Sequence, residues 1–135
     1  MAEPENIGGW LLVPCVVLLV WQPAQFAVAA STTINAVSVR GAAMIAVFVA
    51  RLVVTAFGAA AGFAIMRRRQ AAIRMTIAAL IAIAVIDVFV ELTSFFPSNR
   101  MPGDAPLYAA ASAAFHGGWA LYMARSSRVR RTLTA

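Results

Sequence analysis

Long apolar runs separated by short polar or basic stretches dominate the chain. The runs cover residues 7–30, 42–66, 71–96 and 105–124. Each is long enough, at about 1.5 Å per residue in an α-helix, to cross a hydrocarbon core of roughly 30 Å. The pattern therefore predicts an all-α integral membrane protein, in which a single transmembrane domain forms a four-helix bundle.

The segments between the runs differ in character. Residues 31–40 are rich in small polar side chains and predict a loop or an interfacial piece. Residues 97–104 contain proline and glycine and predict a turn, with Asp104 as the N-cap of the fourth helix. Pro14 and Pro23 predict a kinked first helix.

Small residues mark one face of the second run. Gly58 and Gly62 lie one turn apart, on the same helical face as Arg51 and Thr55. Such small-residue pairs allow close approach of a neighbouring helix in a membrane. We expect this face to pack tightly, and it offers a surface for a partner.

The composition excludes a water-soluble domain. Hydrophobic residues make up 62% of the chain and charged residues 12%, against roughly 25% charged in average soluble domains, and the mean hydropathy is +0.83. The one cysteine, Cys15, excludes an internal disulfide framework and a cysteine-rich metal site. We expect neither a cofactor nor a bound metal.

The net charge of +6 comes from arginines that cluster at two places. Positively charged loops remain on the cytoplasmic side, so both clusters, and with them both termini, are predicted to be cytoplasmic. Anionic lipid headgroups, and not nucleic acid, are the expected partners of these side chains. The arginines concerned are Arg67, Arg68, Arg69, Arg128, Arg130 and Arg131.

Ionisable residues inside the apolar runs are the main functional clue, because such residues are costly in a membrane. Arg51 lies as many residues before Arg69, at the hairpin tip, as Asp87 lies after it. In an antiparallel helix pair the two therefore sit at the same depth. They predict either a structural ion pair that fixes helix packing or, with Glu91 one turn beyond Asp87, a proton- or ion-linked site.

Other polar residues of the apolar runs are candidates for the same site. Gln22 and Gln25 in the first span lie at similar depth, and His116 in the fourth span lies nearer the cytoplasm, too far to contact Asp87 without a relay. The candidate intramembrane binding cluster comprises Gln22, Gln25, Arg51, Asp87, Glu91 and His116.

No catalytic motif is recognisable in the sequence. Ser112 and His116 are spaced i, i+4 on one helix face, which invites a nucleophile interpretation. Serine in transmembrane helices commonly bonds its own backbone, however, so we predict no enzyme activity and no catalytic residue.

Both ends of the sequence resemble a known family. The opening Ile7–Leu11 and the closing residues Trp119, Tyr122, Ser126, Arg128, Val129, Arg130 and Thr132 are similar to the ends of the YdgK-like family of bacterial inner-membrane proteins of unknown function. Leu133 stands where that family usually has phenylalanine. The resemblance implies a multi-pass protein with four spans in the bacterial inner (cytoplasmic) membrane, and it carries over no functional residue.

Two function hypotheses remain open at this point. The first is a small non-enzymatic accessory or interaction subunit, acting as a homo-oligomer or in a larger membrane complex. The alternative is a small proton- or ion-coupled transporter that uses Arg51, Asp87 and Glu91.

Overall fold

The computed structural model describes residues 7–93, 101 and 103–134, and these residues form helices joined by short turns without any strand. A 3-10 turn at Gly9–Leu11 leads into the first helix, and a π-helical turn at Val17–Trp21 joins it to the second. The helices are α1 (Leu12–Val16), α2 (Gln22–Met66), α3 (Ala72–Leu92), α4 (Ala105–Arg125) and α5 (Ser127–Thr134). The prediction of an all-α fold is confirmed for this part of the chain.

The π-helical turn has a local cause in Pro23, at the start of α2. A proline ring crowds the carbonyl group four residues earlier, here that of Leu19, and removes one backbone donor. Widening the helix at Val17–Trp21 relieves this crowding, which is a common origin of π-turns and kinks.

A sharp turn at Gly41 divides α2 into two arms, α2a (22–40) and α2b (42–66). Gly41 has φ 72° and ψ −163°, a region that is accessible essentially to glycine alone. The arms run antiparallel, because Phe26 of α2a stacks on Phe48 of α2b with ring centroids 4.9 Å apart. The first two predicted spans therefore correspond to separate helical arms joined by one residue.

Residues 31–40 are helical, so the prediction of a loop there is wrong. Their polar side chains bond to the helix backbone: Ser31 Oγ donates to the Val28 carbonyl at 2.8 Å, and Thr33 Oγ1 donates to the Ala29 carbonyl at 2.7 Å. Because the hydroxyls find acceptors within the helix, small polar residues do not end it.

The remaining helix boundaries largely agree with the apolar runs. α4 begins and ends within one residue of the predicted span 105–124. α3 ends earlier than predicted, at Leu92, because Thr93 is already extended (φ −116°, ψ 150°); residues 94–96 of the predicted span lie outside the described residues. Asp104 occupies the N-cap position of α4, but its side chain makes no capping hydrogen bond.

The turn between α2b and α3, the 3-10 turn that precedes α1 and the C-terminal helix lie at the same end of the bundle. Leu11, Ala72, Met123, Val129 and Leu133 belong to one buried cluster there. The C-terminal segment, predicted only as a basic tail, forms the amphipathic helix α5, which buries Val129 and Leu133 and exposes its arginines. Packing against the bundle supplies the stability that so short a helix lacks by itself.

The outer surface of the bundle is apolar. Two helical stretches, Gly9–Met66 and Ala72–Leu92, are long and apolar enough to cross a membrane, and only 17% and 22% of their most apolar windows are buried inside the protein. Val28, Val53, Val85 and Leu107 are among the large side chains that point outward. The hydrophobic residues of these helices therefore mostly face away from the protein core.

Candidate functional site

Arg51 and Asp87 meet in the middle of the bundle, where the hairpin register predicts that they should. The distance from Arg51 Nη2 to Asp87 Oδ1 is 3.7 Å, and the side chains are 17% and 18% exposed. This separation is an ion pair, not a hydrogen bond. The antiparallel packing of α2b and α3 about the Arg67–Arg69 turn positions the two residues.

The other carboxylate oxygen of Asp87 is bound by a residue of α4. Ser112 Oγ donates a hydrogen bond to Asp87 Oδ2 at 2.9 Å. Because the acceptor carries a negative charge, this hydrogen bond belongs to the stronger, charge-assisted class. Asp87 therefore links α3 to α4 as well as to α2b.

His116 continues the contacts from Ser112 to the first arm. Its Nδ1 lies 3.0 Å from the Ser112 carbonyl oxygen and 3.2 Å from Ser112 Oγ. Its Nε2 lies 3.1 Å from Gln22 Nε2. With the Gln22 amide nitrogen assigned as the donor, Nε2 of the ring accepts, and Nδ1 carries the proton that is donated to the Ser112 carbonyl.

Together these contacts form a polar chain, which we define as Gln22, His116, Ser112, Asp87 and Arg51. It joins α2a, α4, α3 and α2b. The polar chain therefore ties the two arms of α2 to α3 and α4.

The sequence also matches the model of a known protein family. The family model described as "Protein of unknown function (DUF2569)" matches residues 4–134. The chain belongs to the DUF2569 family. This family is uncharacterised. No curated protein and no solved structure matches the chain.

Two residues of the candidate cluster are not part of the polar chain as the structure shows it. Gln25 of this DUF2569 protein is exposed and makes no hydrogen bond within the described residues. Glu91 lies one turn beyond Asp87 on α3 and is half-buried. Glu91 has an interaction partner in the structure, but it is not a member of the polar chain.

Ser112 is the member of the polar chain that sequence reasoning missed. The sequence placed it on the His116 face of α4 but assigned its hydroxyl to its own helix backbone. In the structure the hydroxyl instead reaches Asp87, and Ser112 is the relay that His116 needs to communicate with that carboxylate. The spacing i, i+4 from His116 was the available signal.

The arrangement of serine, histidine and aspartate in this DUF2569 protein differs from a catalytic triad. In a triad the acid orients the histidine, and the histidine receives the serine proton. Here the Ser112 hydroxyl donates a hydrogen bond to Asp87, and the far side of the His116 ring is bound to Gln22. Among the described residues there is also no group of three or more metal-binding side chains.

The protein also has an open groove between the 3-10 turn that precedes α1 and α4. It has a volume of about 340 Å³ and is lined by Trp10, Phe115, Gly118, Trp119 and Tyr122. The rings of Trp10 and Trp119 have centroids 6.2 Å apart, and Tyr122 packs edge-on against Trp119 at 5.5 Å. The two terminal motifs that carry the family resemblance thus meet at this groove.

Proposed function

We propose that this DUF2569 protein is a four-span protein of the bacterial inner membrane that acts without catalysis, as an accessory or interaction subunit. The N-terminus, the C-terminus and the Arg67–Arg69 turn lie on the cytoplasmic side. Three observations support this proposal. The outer surface is apolar, the members of the polar chain bind one another inside the bundle, and one face of α4 is exposed.

The membrane topology is supported by where the ends of the helices lie. Residues 9–40 and 42–66, α3 and α4 cross the bundle in alternating directions. The basic turn and the arginines of α5 lie at one end of it, and Gly9 lies beside the Arg128 guanidinium. Arginine-rich segments remain on the cytoplasmic side, so this end is the cytoplasmic one. Its arginines attract anionic headgroups.

The polar chain is the observation that carries the non-transport role. Asp87 is bound by Ser112 and paired with Arg51, and both ring nitrogens of His116 have partners in the protein. Polar side chains that are satisfied between helices fix how those helices pack in a membrane. The ionisable groups of the polar chain therefore serve the architecture of the bundle.

The face of α4 that points away from α3 is the surface for association. Its middle consists of small residues between the exposed Leu107 and Leu121. Ala110, Ala114 and Gly117 are exposed, and a Cβ atom added at Gly117 would meet nothing within 4 Å. Helices in membranes associate through such faces because the backbones can approach closely. The expected occupant is an apolar transmembrane helix of a partner protein.

The glycines of α2b, which the sequence offered as a partner surface, are already used within the chain. A Cβ at Gly62 would lie 2.7 Å from Leu19 Cγ, and one at Gly58 would lie 3.4 Å from Leu18 Cδ2. The close approach predicted for this face therefore occurs between α2b and the π-helical turn that precedes α2a.

Site-specific photocrosslinking in membranes tests the association. A benzophenone side chain at Ala114 should give a discrete protein adduct, whereas the same group at Val53, exposed on α2b, serves as the matched control. The adduct mass distinguishes a second copy from a different protein. Equal crosslinking from the two positions, or none from Ala114, would contradict the role assigned to α4.

The alternative, a small proton- or ion-coupled transporter, is favoured by one specific observation. Asp87, Ser112 and His116 form continuous hydrogen bonds, and such chains of acidic groups and histidine are typical of proton relays in membranes. Vesicles that contain the protein and an internal pH dye test it. Proton flux that is lost in Asp87→Asn and in Ser112→Ala supports transport, and wild-type protein without flux rules it out.

A further inference from the structure

The aromatic groove has the lining of a site for an apolar chain. Four of its five lining residues are aromatic, and Gly118 leaves space between them, since a Cβ added there would meet no atom within 4 Å. Its volume of about 340 Å³ falls within the range of small-molecule sites, which is several hundred Å³. The groove is open to the outside, so a molecule in the surrounding membrane has access to it.

A cation lies near this groove, beside the residue that precedes Trp10 of its wall. The guanidinium nitrogens of Arg128 are 3.6 Å from the point where a Cβ on Gly9 would lie, and Gly9 immediately precedes Trp10 of the groove wall. Gly9 has φ 61°, a conformation suited to glycine, and the missing side chain lets the guanidinium approach the backbone. No carboxylate among the described residues pairs with Arg128.

The position of the groove along the bundle completes the argument. Trp10, Trp119 and Tyr122 lie at the same end as the basic turn and α5, and Trp and Tyr commonly mark the level of the lipid headgroups. An amphiphile aligned with the membrane would therefore place its anionic group beside Arg128 and its hydrocarbon chain along the aromatic lining of the groove. A neutral lipid would satisfy the rings but leave the cation without a counter-charge.

We propose that this groove binds an anionic phospholipid, with one acyl chain lying in the groove against its aromatic rings and the phosphate on Arg128. This site rests on the membrane insertion proposed above, but it is independent of the polar chain and of the α4 face that carries Ala114. It assigns a specific role to one arginine out of the basic clusters.

Quenching of tryptophan fluorescence by brominated lipids tests the site. The experiment uses the Trp21→Phe variant, so that only the two tryptophans of the groove, Trp10 and Trp119, contribute to the fluorescence. Vesicles have one fixed composition, phosphatidylcholine with a minor fraction of phosphatidylglycerol. Either the phosphatidylglycerol or an equal amount of the phosphatidylcholine bears brominated acyl chains. We expect brominated phosphatidylglycerol to quench as if enriched about fivefold near the groove, the effect of one arginine on an anionic lipid.

Two pairs of variants locate the effect. Arg128→Gln should abolish the enrichment, whereas Arg131→Gln, which removes the same charge from another exposed position on α5, should preserve it. Gly118→Leu fills the groove and should also abolish it. Ala78→Leu places the same side chain at an exposed position of α3, outside both the groove and the association face of α4, and should not. Each pair has matched chemistry, so general loss of folding or of net charge affects both members.

The outcomes separate this inference from the proposed function. Equal quenching by the two brominated lipids in the wild-type background overturns the lipid site while leaving the membrane insertion intact. Equal losses in Arg128→Gln and Arg131→Gln also overturn it, since the attraction would then be a diffuse property of the basic end. Quenching that appears only when the protein is diluted in lipid would show a second copy in the groove. The absence of quenching by either lipid would contradict membrane insertion itself.

Discussion

The hydrogen bond between Ser112 and Asp87 makes the sharpest prediction about the polar chain. Ser112→Ala removes the 2.9 Å contact to the carboxylate and the 3.2 Å contact to the His116 ring, but it leaves the 3.0 Å contact of that ring with the Ser112 carbonyl. The substitution deletes a single oxygen atom. Its effect on stability is therefore mainly the loss of hydrogen bonding.

The expected magnitude follows from the environment of the bond. Polar contacts between transmembrane helices contribute on average about 0.6 kcal/mol and at most about 1.7 kcal/mol in measured cases. Bonds to an ionised acceptor are roughly twice as strong as neutral ones, and the Asp87 side chain is only 18% exposed. We therefore expect a coupling free energy of about 1 kcal/mol between the two side chains, in the upper half of that range.

A double-mutant cycle measures this coupling. The free energies of unfolding of wild type, Ser112→Ala, Asp87→Ala and the double variant are determined by reversible denaturant titration in mixed micelles. The cost of leaving Arg51 unpaired occurs in both variants that lack Asp87 and cancels. The matched control is Ser31, whose hydroxyl bonds to its own helix at the Val28 carbonyl. If Ser112 couples to Asp87 no more strongly than Ser31 does, the serine bonds only its own backbone and the polar chain is refuted.

Glycines make two further predictions, measured as thermal unfolding in detergent. Gly62→Ala should destabilise the protein by about 1–3 kcal/mol through overpacking, because the added Cβ would lie 2.7 Å from Leu19 Cγ. Gly58→Ala, whose Cβ would have its nearest neighbour at 3.4 Å, should be close to neutral. Similar losses of stability in the two variants would contradict the packing of the π-helical turn on α2b. Gly41→Ala should cost about 1–3 kcal/mol from backbone strain alone, since its Cβ has open space but φ is 72°. Gly117→Ala, equally open but helical, should be neutral or slightly stabilising, and a Gly41→Ala protein as stable as this control would show that the sharp turn is absent.

The interhelical register was largely predictable where a turn of known length joins two runs. The Arg67–Arg69 turn is short, so counting residues from it placed Arg51 opposite Asp87, where the structure has them. The same counting fails between α3 and α4, because the link predicted between these helices, residues 97–104, is longer than the basic turn. Without that register, Ser112 could be placed on the correct helix face but could not be matched to the carboxylate.

The apolar periodicity also misjudged the polar segment at residues 31–40. Serine and threonine in that stretch lower its hydropathy, which indicated a loop. Their hydroxyls bond to backbone carbonyls within the helix, as Ser31 and Thr33 do, so the backbone continues without interruption as far as Gly41. Hydropathy describes the preferred solvent of a segment and contains no information on such internal bonds.

The sequence by itself determined the class of this protein: helical, apolar on its outer surface, with basic segments at the hairpin tip and the C-terminus. Those properties depend on residue types and local spacing, because a helix satisfies its own backbone and its hydropathy adds up residue by residue. Only the tertiary structure decided which side chains meet. The partner of Ser112, the burial of Gly62 under Leu19 and the placement of Arg128 beside Gly9 all depend on how distant helices align, and that alignment is set by the packing of the whole bundle.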